Sequence, residues 1–205
     1  MDFSLGEVER AVGELSQKIF RERVTPSSLK QTEAEPERFD RALWKDLASA
    51  DLLGTSLPES AGGSDHGFLA TCALLVEAGA AVAPVPLWPT LVLGAMPIVR
   101  FGSEDQQRRW LAGVAVGETI LTAALVETGL DDATEPRMRA RSLGGAWVLD
   151  GMKIASVSRY ADIPMLRLTG FSWNDCAICG SAVAITLPSS SSMKNAHATI
   201  AAISH

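Results

Sequence analysis

The feature that most constrains the fold of this 205-residue chain is a change of hydrophobic period after Gly117. Before this residue, apolar side chains recur at intervals of three and four, as they do along one face of a helix. After it, short runs rich in β-branched residues alternate with turn-forming pairs, as they do in antiparallel strands. The change predicts an α+β chain in which an α-helical bundle precedes an antiparallel β unit.

The first predicted helix follows a capping box formed by Ser4 and Glu7. Its apolar residues have helical spacing and are Val8, Val12, Leu15 and Ile19. The polar stretch from Thr25 to Arg38 contains two prolines and predicts a loop. Asp40 is a predicted N-cap for a second helix, which is expected to end near Gly54. Three residues lie on one face of this helix, namely Leu43, Trp44 and Leu47.

Three further helices complete the predicted bundle. Phe68 to Gly79 has the small and apolar composition of a mostly buried helix. Pro89 is placed to begin a helix that runs towards Val99. Ser103 and Gln106 form another capping box, so a short polar helix is expected directly before the β unit.

The β unit is predicted from four runs and two turn signals. The runs are Thr119–Glu127, Met138–Leu143, Ala146–Asp150 and Lys153–Val157. Gly144-Gly145 separates the second run from the third, and Asp150-Gly151 predicts a two-residue hairpin between the third and the fourth.

Charge and composition exclude several classes of function. The net charge is -6 and no basic stripe is present, so we expect no nucleic-acid partner. The uncharged stretch from Ala78 to Val99 contains four prolines, which argues against a membrane-spanning helix. The acidic start lacks the pattern of a signal peptide, so a cytoplasmic location is expected. Cys176 and Cys179 lack two further ligands at suitable spacing, and no metal site is predicted.

The last 41 residues differ in composition from the rest of the chain. Between residues 165 and 205 the charged side chains are Arg167, Asp175 and Lys194 alone. This tail is therefore predicted to have a different role or origin, including the possibility of a reading-frame change near Pro164. Its alternating residues Val183, Ile185 and Leu187 are expected to cover one edge of the β unit.

Three motifs then occur in an order and spacing that are typical of one family. They are LG..LPE..GG at residues 53–63, FG...Q..RWL.....GE at 101–118 and W.L.G.K.......AD at 147–162. Over about residues 1–164 the chain resembles the acyl-CoA dehydrogenases. The resemblance implies a helical N-terminal domain at 1–117 and a partial, barrel-like middle β domain at 118–164, with 165–205 unassigned.

The resemblance also implies chemistry. Acyl-CoA dehydrogenases bind FAD between their middle and last domains and assemble as homo- or hetero-oligomers. A glutamate of the last helical domain removes the α proton of an acyl-CoA thioester, and the β hydride passes to the flavin. No counterpart of that glutamate is found in these 205 residues, so no catalytic residue is assigned and the chain is expected to be inactive alone.

Four positions match the flavin-contacting residues of the family, and their side chains depart from its pattern. They are Leu125, Val126, Ala155 and Val157. Valines replace the two hydroxyl-bearing residues, and Ala155 replaces the stacking aromatic. Main-chain contacts from Leu125 and Val126 do not depend on side chains and would persist. Each lost hydrogen bond weakens binding by about 1 kcal/mol.

These observations leave two functional hypotheses. The first is a divergent, apparently truncated FAD-dependent acyl-CoA dehydrogenase. The second is a non-catalytic partner subunit or interaction module of an acyl-CoA dehydrogenase complex, which keeps the fold but has lost flavin contacts.

Overall fold

The computed structural model describes residues 5–123, 139–143, 146–153, 166–173, 183–188 and 199–202, and it describes side chains for residues 5–123. Up to residue 115, the first of these ranges contains helices and the loops that connect them. Its α-helices are α1 Glu7–Arg23, α2 Pro26–Ala34, α3 Arg41–Ser49, α4 Gly67–Ala80, α5 Met96–Phe101 and α6 Glu104–Ala115. A short 3-10 turn covers Glu59–Ala61, and a π-helical segment, Trp88–Ala95, leads directly into α5.

In the described part of the chain six strands follow the helices, which agrees with the predicted α+β class. They are β1 Thr119–Ala123, β2 Arg139–Leu143, β3 Ala146–Lys153, β4 Leu166–Trp173, β5 Val183–Pro188 and β6 Thr199–Ala202. They form two three-stranded antiparallel sheets with the orders β1-β5-β6 and β2-β3-β4. The pairing of β5 with β1 confirms that Val183, Ile185 and Leu187 belong to a strand that covers one edge of the β unit.

The hydrophobic core lies between the helices and extends to β1. Leu43 and Leu47 of α3 have no exposed surface, and neither has Leu74 of α4 or Leu111 of α6. Leu121 of β1 is equally buried and belongs to the same core. The first strand is therefore packed against the helical bundle.

Two helix starts agree with their predicted caps. The Asp40 side chain accepts a hydrogen bond from the Leu43 backbone N–H at 2.9 Å, which caps α3. Ser103 and Gln106 form the expected reciprocal capping box of α6. Such caps satisfy backbone N–H groups that have no partner within the helix.

The predicted loop from Thr25 to Arg38 is wrong over most of its length, because α2 occupies Pro26–Ala34. Pro26 stands at the first helical position, where a missing N–H costs nothing. Thr25 is the N-cap and makes a capping box with Ser28. The proline that suggested a loop is thus the start of a helix.

Helix α1 begins later than predicted, and of its predicted apolar stripe Val12 is buried and Ile19 packs against the core. Its N-cap is Gly6, which makes no side-chain capping bond. The buried residues are Val12, Ser16 and Phe20, whereas Val8 and Leu15 are about two-fifths exposed. Helix α3 also ends earlier than expected, at Ser49, and the left-handed residue after it is Asp51 rather than Gly54.

The hairpin predicted at Asp150-Gly151 is wrong, because β3 runs through both residues. β3 pairs with β2 on one side and with β4 on the other, and its register with β4 shifts between Leu149 and Gly151. A glycine in a strand interior commonly marks such a bulge. In contrast, Leu143 pairs with Ala146, so two residues connect β2 and β3 as Gly144-Gly145 predicts.

None of the helices in the described part of the chain is long and apolar enough to cross a lipid bilayer.

Candidate functional site

The candidate site is the helix–strand junction, which we define as the last turn of α6, the turn at Gly117 and Glu118, and strand β1. The Glu118 N–H donates to the Gly113 carbonyl at 2.8 Å, and the Gly117 N–H donates to the Val114 carbonyl at 3.0 Å. Gly117 has a left-handed backbone with φ of 75°. These two bonds and that conformation form a Schellman motif, which ends α6 and turns the chain into β1.

Helix α3 contacts this turn through Trp44. The indole N–H of Trp44 donates to the Gly117 carbonyl at 2.9 Å, across 73 positions of sequence. A Cβ at residue 117 would lie 3.0 Å from the Ala48 Cβ, which is one turn further along α3. Because of this contact and its positive φ, position 117 requires glycine.

Two further glycines allow close contacts with β1. A Cβ on Gly94, in the π-helical segment, would overlap the Leu121 Cβ. A Cβ on Gly113 would overlap the Thr119 hydroxyl. π-Helical turns are rare in proteins, and those that occur are often found at functional sites. The strand is thus packed closely against the bundle at both Thr119 and Leu121.

The LG..LPE..GG motif forms a compact loop that supports the end of α6. The Gly54 carbonyl accepts hydrogen bonds from the N–H groups of Leu57 and Ser64, both at 3.0 Å. A Cβ on Gly63 would overlap the Leu57 carbonyl oxygen, so the backbone segments touch. The glycines of this motif therefore have a structural role.

The predicted flavin positions lie outside the described residues. Leu125 and Val126 come directly after β1, which ends at Ala123, and Ala155 and Val157 follow β3, which ends at Lys153. β1 and β3 belong to different three-stranded sheets. The structure therefore describes the strands that lead to both pairs of positions, and the assignment of these four residues stays a prediction.

One buried polar group on β1 has no hydrogen-bond partner among the described residues. The Thr122 hydroxyl is buried and has no hydrogen-bond partner in the described part of the chain. The same holds for Thr90 in the π-helical segment, which packs against β1. A buried hydroxyl without a partner costs about 1–3 kcal/mol, so both groups reduce the stability that this packed region contributes. Sequence reasoning missed both threonines, because an isolated hydroxyl in an apolar run carries no positional signal.

The tryptophans and charged residues considered next lie in the core or on the surface of the helical bundle. Trp44 is buried in the core, and Trp88 is about half exposed. The exposed Arg108 bridges Glu104 and Asp105 on the surface of α6, as expected for a solvated face. Within the described residues, no three histidine, cysteine or acidic side chains are grouped as a metal site would require.

A large cavity within the described residues lies away from the junction. It has a volume of about 640 Å³ and is formed by α2, the end of α4 and the segment that follows it. Its wall is mainly apolar, with Glu33 and Arg38 as charged members, and includes no residue of the junction.

Comparison with known proteins agrees with this helical bundle. Residues 6–118 match the family model of the acyl-CoA dehydrogenase N-terminal domain. Acyl-CoA dehydrogenase FadE27 of Mycobacterium tuberculosis is 38% identical over 125 residues, which are 61% of this chain and 34% of that relative. The region that matches the family model ends where the helical bundle meets β1.

Solved structures support the same assignment. A variant of the Tcur3481-Tcur3483 steroid ACAD superposes with a TM-score of 0.68 at 44% identity, over 73% of this chain and 41% of that one. The ChsE4-ChsE5 complex from Mycobacterium tuberculosis also gives 0.68, at 34% identity, over 75% of this chain and 41% of that one. An acyl-CoA dehydrogenase from Bacillus anthracis, complexed with FAD, gives 0.62 at 25% identity, over 73% of this chain and 26% of that one.

The helical bundle and its junction with β1 thus define an acyl-CoA dehydrogenase N-terminal domain. The chain belongs to the acyl-CoA dehydrogenase family. It spans about a third of the length of the curated relatives that it matches.

Proposed function

We propose that this chain acts within an FAD-dependent acyl-CoA dehydrogenase, which removes hydrogens from the α and β carbons of an acyl-CoA thioester. The observation that carries this proposal is the match of residues 6–118 to the family's N-terminal domain. The bound FAD would supply the hydride acceptor. The contribution of this chain would be to hold β1 against the helical bundle and to present Leu125 and Val126 directly after it.

Flavin binding by this chain is proposed to rely on main-chain groups. Leu125 and Val126 would offer backbone N–H and carbonyl groups to the isoalloxazine ring. Val126 and Val157 offer no hydroxyl, and Ala155 offers no ring to stack on. We therefore expect weak affinity, and we expect no turnover from the chain alone, because we assign it no catalytic base.

The strands are proposed to belong to a barrel-like middle domain. The two described sheets contain strands from residues 119–153 and also from residues 166–202. This pairing supports a β domain that includes part of the low-charge tail.

A second candidate function is a partner subunit that does not itself carry the flavin. Two observations favour it. Val126, Ala155 and Val157, at the proposed flavin positions, lack the hydroxyls and the aromatic ring expected from the resemblance. In addition, one structural relative is the ChsE4-ChsE5 complex and another carries a two-component name. Because the relative at 44% identity is named a steroid ACAD, a steroid-like acyl-CoA thioester is the substrate class to test first.

The decisive experiment expresses the chain alone and measures the flavin spectrum and acyl-CoA-dependent dye reduction with a steroid-type and a butyryl thioester. We expect weak, saturable FAD binding and no reduction. Robust turnover by the chain alone would contradict the assignment of no catalytic base. Complete absence of FAD binding, together with stable association with a longer acyl-CoA dehydrogenase subunit and restored activity, would favour the partner-subunit function instead.

A further inference from the structure

We propose that Trp44 is a positioning residue, whose indole N–H sets the start of β1 against the helical bundle and thereby the location of the flavin-facing strand. This inference rests on the proposed function for its consequence on flavin binding. Its structural part rests on the geometry of the helix–strand junction alone.

The donor stands on a rigid element. Trp44 is 2% exposed, and its neighbours Leu43 and Leu47 in α3 have no exposed surface. Asp40 caps the start of α3, and Asp46 makes an ion pair of 2.6 Å with Arg23 of α1. The Trp44 ring also packs edge-to-face against Phe39, with centroids 6.1 Å apart. These contacts restrict the movement of the indole, so its N–H is held in position for the Gly117 carbonyl.

The acceptor is the residue at which the direction of the chain changes. The Gly117 carbonyl lies in the left-handed turn that ends α6, and β1 begins two residues later at Thr119. Within α6 the turn is held by the bonds to Gly113 and Val114. Within the described residues, the side-chain hydrogen bond from Trp44 joins this turn to a different helix, α3.

The proposed flavin positions are close to this anchor in sequence. Leu125 lies eight residues after Gly117 and two after the end of β1. If these positions contact the flavin through main-chain groups, their placement depends on how β1 is anchored. A displacement of the start of β1 would then move the backbone N–H and carbonyl groups of Leu125 and Val126. A change of side-chain rotamer could not compensate, because these groups belong to the main chain.

The test compares three variants of the full chain by amide hydrogen exchange under native conditions. Trp44→Phe removes the N–H and keeps an aromatic ring. Phe39→Leu removes the ring partner of Trp44 and keeps the N–H bond, so it controls for packing. Ser16→Ala removes another buried bond, from Ser16 Oγ to the Val12 carbonyl at 2.6 Å, far from the junction. We expect amides of residues 118–123 to exchange about fivefold faster in Trp44→Phe only.

The second readout is FAD affinity, measured by flavin fluorescence. We expect Trp44→Phe to weaken FAD binding about fivefold and Ser16→Ala to leave it unchanged. The proposal is overturned if β1 exchanges no faster in Trp44→Phe than in Phe39→Leu, or if acceleration is uniform over α1, α4 and β1. It is also overturned if β1 loosens while FAD affinity stays the same. An unmodified chain that binds no FAD counts against the proposed function, and the exchange comparison still decides the anchoring role of Trp44.

Discussion

Single glycines at the contact between the bundle and β1 decide how closely the two pack. Gly94 lies against Leu121 with no room for a Cβ, whereas a Cβ added to Gly79 on α4 would meet no atom within 4 Å. The two positions have the same residue type and opposite surroundings. Alanine substitutions at the two positions therefore distinguish the effect of steric overlap on stability from the effect of helix propensity.

We expect Gly94→Ala to lower the free energy of unfolding by about 3 kcal/mol, because the new methyl overlaps Leu121 in a buried interface. The matched control, Gly79→Ala, is expected to raise it by about 0.5–1 kcal/mol, since alanine has the higher helix propensity. Urea unfolding followed by circular dichroism measures both. Equal effects of the two variants would contradict the close contact at Gly94.

At the flavin positions, the side chain of residue 126 provides a second residue-scale prediction. If Val126 is the proposed flavin-contacting position, Val126→Thr supplies a hydroxyl to the isoalloxazine ring, so we expect FAD affinity to rise about fivefold. Leu125→Thr is the control, because it adds the same hydroxyl at the adjacent position. Fluorescence titration with FAD measures both variants. A gain at residue 125 and none at 126 would mean that the assigned register is shifted by one.

Among the elements, the predicted N-caps of α3 and α6 agree with the structure, whereas that of α1 does not. Asp40 and Ser103 are predicted as caps and are caps, because a cap depends on residues within one turn of each other. Helix α2 is not predicted, although its capping residues are also close together in sequence. The reason is that Pro26 is compatible with a loop as well as with a helix start. A proline next to a Thr or Ser cap is typical of a helix start as well, and here the Thr25–Ser28 box is the informative feature.

Removal of the cap of α6 tests the contribution of this helix. Ser103→Ala is expected to destabilise the chain by about 1 kcal/mol, because the Gln106 N–H then loses its acceptor. Arg108→Ala is the control on the same helix, and its exposed ion pairs with Glu104 and Asp105 are expected to contribute less than about 0.5 kcal/mol. Thermal unfolding ranks the two. A larger loss for Arg108→Ala would show that surface charges, and not the cap, stabilise α6.

Strand connections are predicted less well than helix starts. Gly144-Gly145 and Asp150-Gly151 are both good turn sequences, yet only the first separates two strands. Asp150 and Gly151 lie inside β3, next to a register shift against β4. The partner strand is Leu166–Trp173, for which the sequence analysis predicts no strand. Without knowledge of that partner, a turn and a bulge cannot be distinguished from sequence.

For the molecule as a whole, the proposed cofactor has a thermodynamic consequence. A ligand that binds the folded chain only must stabilise it, by about 2.7 kcal/mol at a concentration one hundred times its dissociation constant. We expect FAD to raise the midpoint of thermal unfolding in a concentration-dependent way, with Val126→Thr shifted to lower FAD concentrations. FMN at the same concentrations is the control for the isoalloxazine ring without the adenosine part. An unfolding midpoint that is independent of FAD would contradict flavin binding by this chain.

The family, the order of helices before strands, and the caps of α3 and α6 all follow from the amino-acid sequence, because period, capping and motif spacing are local properties. The sequence also identifies the FG...Q..RWL.....GE motif, but not why its last glycine is needed. That reason lies in the tertiary structure: Gly117 meets Trp44 and Ala48, about seventy residues away in sequence. The pairing of β1 with β5 and the contact of Gly94 with Leu121 have the same tertiary origin. Contacts of this kind depend on which surfaces remain to be covered once the helices have packed, and no local pattern records that.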